Sequence, residues 1–222
     1  MKNNVIIIKD LCKTFRNTTV IHDINISFEK GKIHGIVGRN GSGKTVLFKC
    51  ICGFVPMTSG SIQVKEKLVG KDIDIPKDMG IIIESPGFLP NYSGFNNLKF
   101  LAKLQNKISK KEIRETMLFV GLDPDEKKHV EKYSMGMRQR LGLAQAIMED
   151  PDILILDEPM NGLDNQGVLE MRKCLLQLRN QGKTILLASH STEDINALCD
   201  TVCKIEDEIL IKIRGFEDVP FH

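Results

Sequence analysis

The sequence contains no long apolar run and almost no net charge. None of its apolar stretches approaches the roughly 20 residues of a membrane-spanning helix, so we expect no membrane span in these 222 residues. Near the N-terminus only residues 5–8 are continuously apolar before Lys9 and Asp10, which is not the pattern of a signal peptide. The 31 lysines and arginines nearly balance the 29 aspartates and glutamates, for a net charge of +2. That balance gives no support for a nucleic-acid-binding surface.

The cysteines also lack the sequence spacing that is typical of a metal site. The two closely spaced pairs, at 50 and 52 and at 199 and 203, have no second half-site of ligands. Most of the cysteines lie in apolar segments, so we interpret them as small core residues in a reducing cytoplasm, with a metal site as the alternative. The six cysteines are Cys12, Cys50, Cys52, Cys174, Cys199 and Cys203.

Residues 38–45, GRNGSGKT, have the spacing of a phosphate-binding loop. A short apolar run at 33–37 precedes them and a helix-like segment at 46–52 follows, which is the strand–loop–helix context that such a loop requires. The alternative is a glycine-rich turn with a solvated lysine, which chance spacing produces only rarely. The residues predicted here to bind ATP are Gly38, Arg39, Asn40, Gly41, Ser42, Gly43, Lys44, Thr45 and Val46.

The physical logic of this loop rests on its glycines and on the helix that follows. Glycine adopts positive φ at little steric cost, so consecutive N–H groups turn inward and form an anion nest. The positive end of the helix dipole adds to the attraction for an anion at the same place. We expect Lys44 to reach the β- and γ-phosphates and the Thr45 hydroxyl to bind Mg²⁺.

Two further apolar runs end in residues suited to nucleotide chemistry. Residues 153–158, ILILDE, are typical of a buried parallel strand, and open α/β sheets bind ligands beyond the carboxyl ends of such strands. We expect Asp157 to hold Mg²⁺ through a water molecule and Glu158 to accept a proton from the attacking water. His190 follows the run at 185–189 and is predicted to donate a hydrogen bond to the γ-phosphate. The alternatives are a solvated helix entry for the carboxylates and a polar loop residue for the histidine.

Two kinds of pattern divide the chain. Residues 1–87 and 150–222 contain short strand-like runs, whereas residues 88–149 follow the helical period, with Leu98, Leu101 and Leu104 expected on one helix face. We predict one α/β domain over residues 1–222. Its core lobe, 1–87 and 150–222, is a P-loop NTPase core with a mostly parallel sheet and N-terminal antiparallel β-strands, and residues 88–149 form an inserted helical subdomain.

Residues 133–140, YSMGMRQR, complete a resemblance to the nucleotide-binding subunits of the ATP-binding-cassette (ABC) family. They occupy the place of the family's LSGGQ signature, which Ser134 and Gly136 match, whereas Tyr133, Met135 and Met137 depart from it. Ser134 can cap the helix that begins next, and a glycine lets the backbone approach closely. Without the neighbouring motifs, an ordinary helix start would be the preferred interpretation.

The resemblance covers nearly the whole chain and implies a head-to-tail dimer with a second copy or a homologous subunit. Each ATP would lie between the phosphate loop of one subunit and Ser134 and Gly136 of the other. Asp164, in the sequence NGLD, matches the family's D-loop. Phe15 occupies the position of an aromatic residue that stacks on adenine, with a core residue as the alternative.

Glu84, after the apolar run at 80–83, departs from the family's usual glutamine. The resemblance places it near Mg²⁺, and a carboxylate is a better ligand for a hard cation than an amide. A glutamate here, together with the SMGM signature and the NGLD loop, resembles the ATPases of lantibiotic-immunity and bacitracin-resistance exporters. The alternative is neutral drift in a surface loop. Ser85, Pro86 and Gly87 are expected to act as a hinge.

The resemblance therefore implies an ATPase that uses ATP and Mg²⁺ to drive a separate membrane permease. The exported compound is expected to be an antimicrobial peptide or similar, and the subunit to lie on the cytoplasmic face of the membrane through the permease, without a nucleic-acid partner. A soluble ABC protein of translation or DNA repair is the alternative, but the chain has one cassette and no long coiled coil. A P-loop kinase is disfavoured by Ser134, Gly136, Glu158 and His190. The residues expected to dock the permease are Phe88, Leu89, Tyr92 and Phe95.

Overall fold

The structure is a computed structural model that describes residues 3–84, 87–105 and 107–215. Ser85 and Pro86 of the predicted hinge lie outside the described residues. The strands are β1 (Asn4–Phe15), β2 (Thr18–Glu29), β3 (Ile33–Val37), β4 (Ser59–Val64), β5 (Lys67–Leu68), β6 (Met79–Ile82), β7 (Ile153–Asp157), β8 (Thr184–Ala188), β9 (Thr201–Glu206) and β10 (Ile209–Arg214). The helices are α1 (Lys44–Ile51), α2 (Gly94–Gln105), α3 (Lys110–Phe119), α4 (Met135–Ile147), α5 (Asn165–Asn180) and α6 (Thr192–Leu198).

The strands form two sheets. Across the described residues, the N-terminal sheet is antiparallel, with the order β2-β1-β4-β5. The other sheet has the order β10-β9-β3-β8-β7-β6 and is parallel except for β10. Helices α2, α3 and α4 lie between β6 and β7 in the chain. This arrangement confirms the predicted fold class, whereas the residue bounds of the two predicted lobes stay a prediction.

β7 belongs to both hydrophobic cores because successive side chains of a strand point to opposite faces. Ile153 and Ile155 pack into the core that β1, β2 and α1 share. Leu154 and Leu156 pack into the core that contains α2, α3, α4 and α5. All four side chains are completely buried, as expected for a parallel strand covered on both faces.

The helical region contains one wrong prediction and one confirmed prediction. Leu98 is completely buried but Leu104 is 81% exposed, so the expectation that they share a face is wrong. A helix turns by about 100° per residue, so a separation of six residues rotates a side chain about 120° away from its starting direction. The capping box that opens α3 is confirmed. Ser109 Oγ accepts from the Glu112 amide at 3.3 Å, and the Glu112 carboxylate accepts from the Ser109 amide at 2.7 Å.

The cysteines are free, and all but Cys12 are buried. Burial raises the pKa of Cys50 to about 11 and the pKa of Cys52 to about 12, which favours unreactive thiols. In the part of the chain that the structure describes, His, Cys, Asp and Glu side chains form no group of three or more that could hold a metal ion. No described helix is both long enough and apolar enough to cross a membrane.

Candidate functional site

The loop between β3 and α1 needs glycine at two positions for steric reasons. A Cβ atom on Gly38 would lie 2.5 Å from Ser42 Oγ and 2.7 Å from the Ile205 carbonyl oxygen. Gly43 has φ 104° as the N-cap of α1, and a Cβ there would lie 2.9 Å from the Val20 carbonyl oxygen. The chain therefore keeps this turn tight by omitting both side chains.

The same loop presents unsatisfied donors and a buried cation. Lys44 is 7% exposed, and its Nζ donates to the carbonyl oxygens of Gly38 at 2.8 Å and Arg39 at 3.1 Å. No side chain caps the N-terminus of α1, so the first amides of this helix are available to an anion. The Ser42 hydroxyl is buried without a hydrogen-bond partner among the described residues. A bound phosphate would satisfy these groups.

A short hydrogen bond joins the phosphate loop to the end of β7. Thr45 Oγ1 donates to Asp157 Oδ2 at 2.6 Å. A hydroxyl and a carboxylate side by side are hard oxygen ligands, and Mg²⁺ is usually held by one or two carboxylates together with water and phosphate oxygens. These residues therefore fit the predicted magnesium site, although their role as ligands stays a prediction.

Glu158 is fixed by β8 and by His190. Its amide donates to the Ala188 carbonyl at 3.0 Å, and its backbone has φ 51°, a left-handed conformation uncommon for a glutamate. His190 Nδ1 lies 2.8 Å from Glu158 Oε2. When Nδ1 donates to this carboxylate, Nε2 can donate to a phosphate only if the ring carries both protons. The two predicted catalytic residues thus form one hydrogen-bonded unit, and their catalytic roles stay a prediction.

A cavity of about 440 Å³ brings most of these groups together. Sequence reasoning missed four of the residues that line it, namely Val20, Met135, Gln139 and Asn161. The spacing of Met135 and Gln139 was the available signal, because residues four apart lie on one face of a helix. The described lining consists of Val20, Asn40, Gly41, Ser42, Gly43, Lys44, Thr45, Val46, Glu84, Met135, Gln139, Asp157, Glu158 and Asn161.

Other predicted residues lie outside this lining, at the starts of two helices. Ser134 caps α4 by accepting from the Met137 amide at 3.2 Å, which confirms its expected N-cap role. Asp164 caps α5 by accepting from the Gly167 amide at 2.8 Å. A Cβ on Gly136 would lie 3.3 Å from Leu163 Cδ2, so the two helix starts are close neighbours. Their role at the ATP of a second subunit stays a prediction.

Phe15 ends β1 and is 43% exposed, so the alternative that it is a core residue is wrong. Lys13 Nζ lies 4.5 Å from the centroid of the Phe15 ring, which places a cation over one face of this ring. Stacking of Phe15 on adenine stays a prediction.

Glu84 lines the cavity and also forms an ion pair. Its Oε1 lies 2.6 Å from Lys49 Nζ, on the second turn of α1. Sequence reasoning missed Lys49, although its spacing from Thr45 was again the available signal.

Comparison with known proteins identifies relatives over most of the chain. The family model described as ABC transporter matches residues 21–161. The chain is 46% identical over 191 residues to the uncharacterized ABC transporter ATP-binding protein YybJ of Bacillus subtilis (strain 168), covering 86% of this chain and 88% of YybJ. It is 39% identical to the bacitracin transport ATP-binding protein BcrA of Enterococcus faecalis, covering 94% of this chain and 68% of BcrA. Identity to the lantibiotic transport ATP-binding protein SrtF of Streptococcus pyogenes is 35%, covering 95% of this chain and 90% of SrtF.

Solved structures support the same fold. A dimeric structure of the ATP-binding cassette MJ0796 in a post-hydrolysis state, bound to ADP and Pi, matches 95% of this chain and 100% of that one, with a TM-score of 0.83. Sequence identity to it is 19%, so this likeness concerns the fold alone.

Proposed function

The chain belongs to the ABC transporter family as an ATP-hydrolysing subunit, and we propose that it drives a separate membrane permease that exports an antimicrobial peptide or a similar compound. The proposed cargo is supported by relatives named for bacitracin and lantibiotic transport. Expression of this subunit with its permease in a sensitive cell should raise resistance to bacitracin or to a lantibiotic. Unchanged sensitivity to both would remove that cargo class.

The observation that carries the ATPase mechanism is the 2.6 Å hydrogen bond between Thr45 Oγ1 and Asp157 Oδ2. It brings the phosphate loop and the carboxyl end of β7 to one point, next to the buried cation of Lys44. Anionic phosphates favour a helix N-terminus with a lysine, and a hard dication favours the adjoining hydroxyl and carboxylate.

Each residue then has a defined task. The loop amides and Lys44 bind the phosphates, while Thr45 and Asp157 hold Mg²⁺, which neutralises phosphate charge when it is bound with the nucleotide. Glu158 accepts the proton of the attacking water. His190 holds the Glu158 carboxylate at 2.8 Å and limits its rotation.

Two partners complete the proposed assembly. A second copy or a homologous subunit places Ser134, Gly136 and Asp164 against the ATP of its neighbour, head to tail.

The permease docks on exposed apolar side chains near Glu84, among which Leu89 is 48% and Tyr92 44% exposed. It holds the subunit at the cytoplasmic face of the membrane. Co-purification with the permease should fall when Tyr92 is changed to Asp, and unchanged recovery would exclude this patch.

The ATPase proposal is tested by Glu158→Gln. The variant should bind ATP as well as the unchanged protein does and hydrolyse it about 10²–10⁴-fold more slowly, because it lacks the general base. With Mg²⁺ and ATP it should elute as a dimer on size exclusion. Glu193→Gln, on the exposed start of α6, is the control and should turn over normally. Normal turnover of Glu158→Gln with only monomer present would show that Glu158 is not the base.

A further inference from the structure

Lys49 connects helix α1, which begins at the phosphate loop, to Glu84. It lies four residues after Thr45 on α1, so both side chains share one face of this helix. Its Nζ lies 2.6 Å from Glu84 Oε1. Thr45, which donates to Asp157, and Lys49, which holds Glu84, are therefore on the same short helix.

The Glu84 carboxylate is placed so that it can change partners. It lines the cavity that also contains Thr45, Asp157 and Glu158. Its side chain is 67% exposed, against 30% for Lys49, so water competes with the ion pair. Its backbone has φ 62°, a left-handed conformation that is strained for a non-glycine residue and that is often found at sites which change conformation.

We propose that Lys49 is a positioning residue that holds the Glu84 carboxylate at the rim of the cavity while the site lacks nucleotide, and that Glu84 exchanges Lys49 for Mg²⁺ when Mg-nucleotide binds. The inference rests on the proposed function, since it requires ATP and Mg²⁺ at Thr45 and Asp157. An exposed ion pair changes an equilibrium constant by only about 1.4- to 5-fold, so the exchange is readily reversible. A hard dication is a stronger partner for a carboxylate than an exposed ammonium group is.

A zero-length carbodiimide crosslink tests the exchange without relying on activity. The reagent activates a carboxylate, and the amine of an adjacent lysine displaces the resulting urea to form an amide bond. Mass spectrometry of the digested full-length protein identifies the linked peptides. The Lys49–Glu84 crosslink should form without nucleotide and fall at least about threefold with Mg²⁺ and a non-hydrolysable ATP analogue. It should persist with the analogue in excess EDTA. Failure to form, or equal yields in all three conditions, would overturn the proposal.

A second ion pair provides the internal control. Lys65 Nζ lies 2.5 Å from Asp152 Oδ2, with 32% and 51% of the two side chains exposed, and neither residue lines the cavity in the described structure. The yield of the Lys65–Asp152 crosslink should be the same in every condition and calibrates the reagent. If the Lys49–Glu84 crosslink is lost equally with analogue in EDTA, Glu84 responds to the nucleotide rather than to the metal, and the proposed exchange is wrong.

A Mg²⁺ titration of nucleotide binding tests the same exchange by mutation. Lys49→Met removes the competing cation and should lower the half-saturating Mg²⁺ concentration by about 1.4- to 5-fold, whereas Lys49→Arg should behave as the unchanged protein. In the Glu84→Gln background, Lys49→Met should have no effect. An equal effect in both backgrounds would mean that Lys49 acts through its charge alone, not through Glu84. Lys65→Met controls for loss of a lysine, and intact nucleotide binding by all these variants would leave the ATPase proposal standing even if the exchange fails.

Discussion

Lys44 is a buried lysine whose ammonium group is held only by carbonyl oxygens among its described partners. A buried ammonium group without a carboxylate is costly, and an anionic ligand removes that cost. This environment distinguishes it from Lys183, which is equally buried at 8% exposure but pairs with Asp150 Oδ1 at 2.6 Å. The two lysines therefore form a matched pair for mutation.

Lys44→Ala should abolish binding of a fluorescent ATP analogue, because the phosphate charge loses its buried counter-ion. Lys183→Ala removes an equally buried lysine that does not line the cavity, and this variant should bind the analogue normally. Circular dichroism would show that both variants are folded. Tight binding by folded Lys44→Ala would contradict the assignment of the phosphate-binding loop.

Single residues were predictable where their signal is local in sequence. The roles of Lys44 and Thr45 were predicted from eight adjacent residues, and the role of Glu158 was predicted from the apolar strand that precedes it. The spacing from Thr45 could have indicated Lys49, but its pairing with Glu84 was not predictable, because the two residues are 35 positions apart and their distance depends on the tertiary fold. The exposure of Phe15 likewise depends on the packing of the antiparallel sheet.

At the scale of elements, β3 carries a histidine that the fold keeps neutral. Burial lowers the pKa of His34 to about 4, only partly opposed by its hydrogen bond to the Glu29 carbonyl at 2.9 Å. His34 Nδ1 also lies 2.7 Å from Thr201 Oγ1, which ties β3 to β9. An unfolded chain would protonate this histidine near pH 6.5, its ordinary value.

The free energy of unfolding of the protein should therefore fall as the pH is lowered from about 6.5 to about 4. In that window the unfolded chain binds a proton that the folded chain does not, so unfolding becomes easier by about 3 kcal/mol in total, with no further loss below the folded pKa. Urea unfolding at several pH values should show a smaller loss for His34→Gln. His22→Gln, at an exposed position of β2, should keep the full loss. Parallel curves for His34→Gln and the unchanged protein would contradict this account.

Elements were predictable where hydrophobic period and end signals agree. Both agree in β7 and β8, and in α3, where Ser109 and Glu112 form the expected cap. They did not agree in α2, where three leucines suggested one face but the helix rotates Leu104 into solvent. Packing against α3 and α4 determines that Leu98 is buried and Leu104 is not. Those helices lie outside the stretch of sequence from which the period of α2 is read.

At the scale of the whole molecule, the head-to-tail arrangement is open to a complementation test. Ser134→Arg places a bulky cation at the positive end of α4, and it should stop ATP turnover while the isolated subunit still binds ATP. Lys44→Ala should also be inactive alone. A mixture of the two variants should hydrolyse ATP well above either parent, because a mixed dimer contains one site with an intact Lys44 and an intact Ser134.

A same-subunit site would give a different result, since neither variant then has a complete site and the mixture stays inactive. Ser109→Arg, at the start of α3, serves as the control because it removes a serine cap from a helix that does not line the cavity in the described structure. It should retain turnover. Loss of the helix cap should lower the free energy of unfolding by about 0.5–2 kcal/mol.

The alternation of β7 between the two cores limits which changes the chain can accept. A swap among apolar side chains of similar volume leaves each core filled and the strand in place. A deletion or insertion of one residue shifts every later side chain to the opposite face. Leucines and isoleucines would then exchange cores, and the Asp157 carboxylate would turn away from Thr45. The sequence of β7 can therefore vary among apolar residues of similar volume, whereas its length cannot change by one residue.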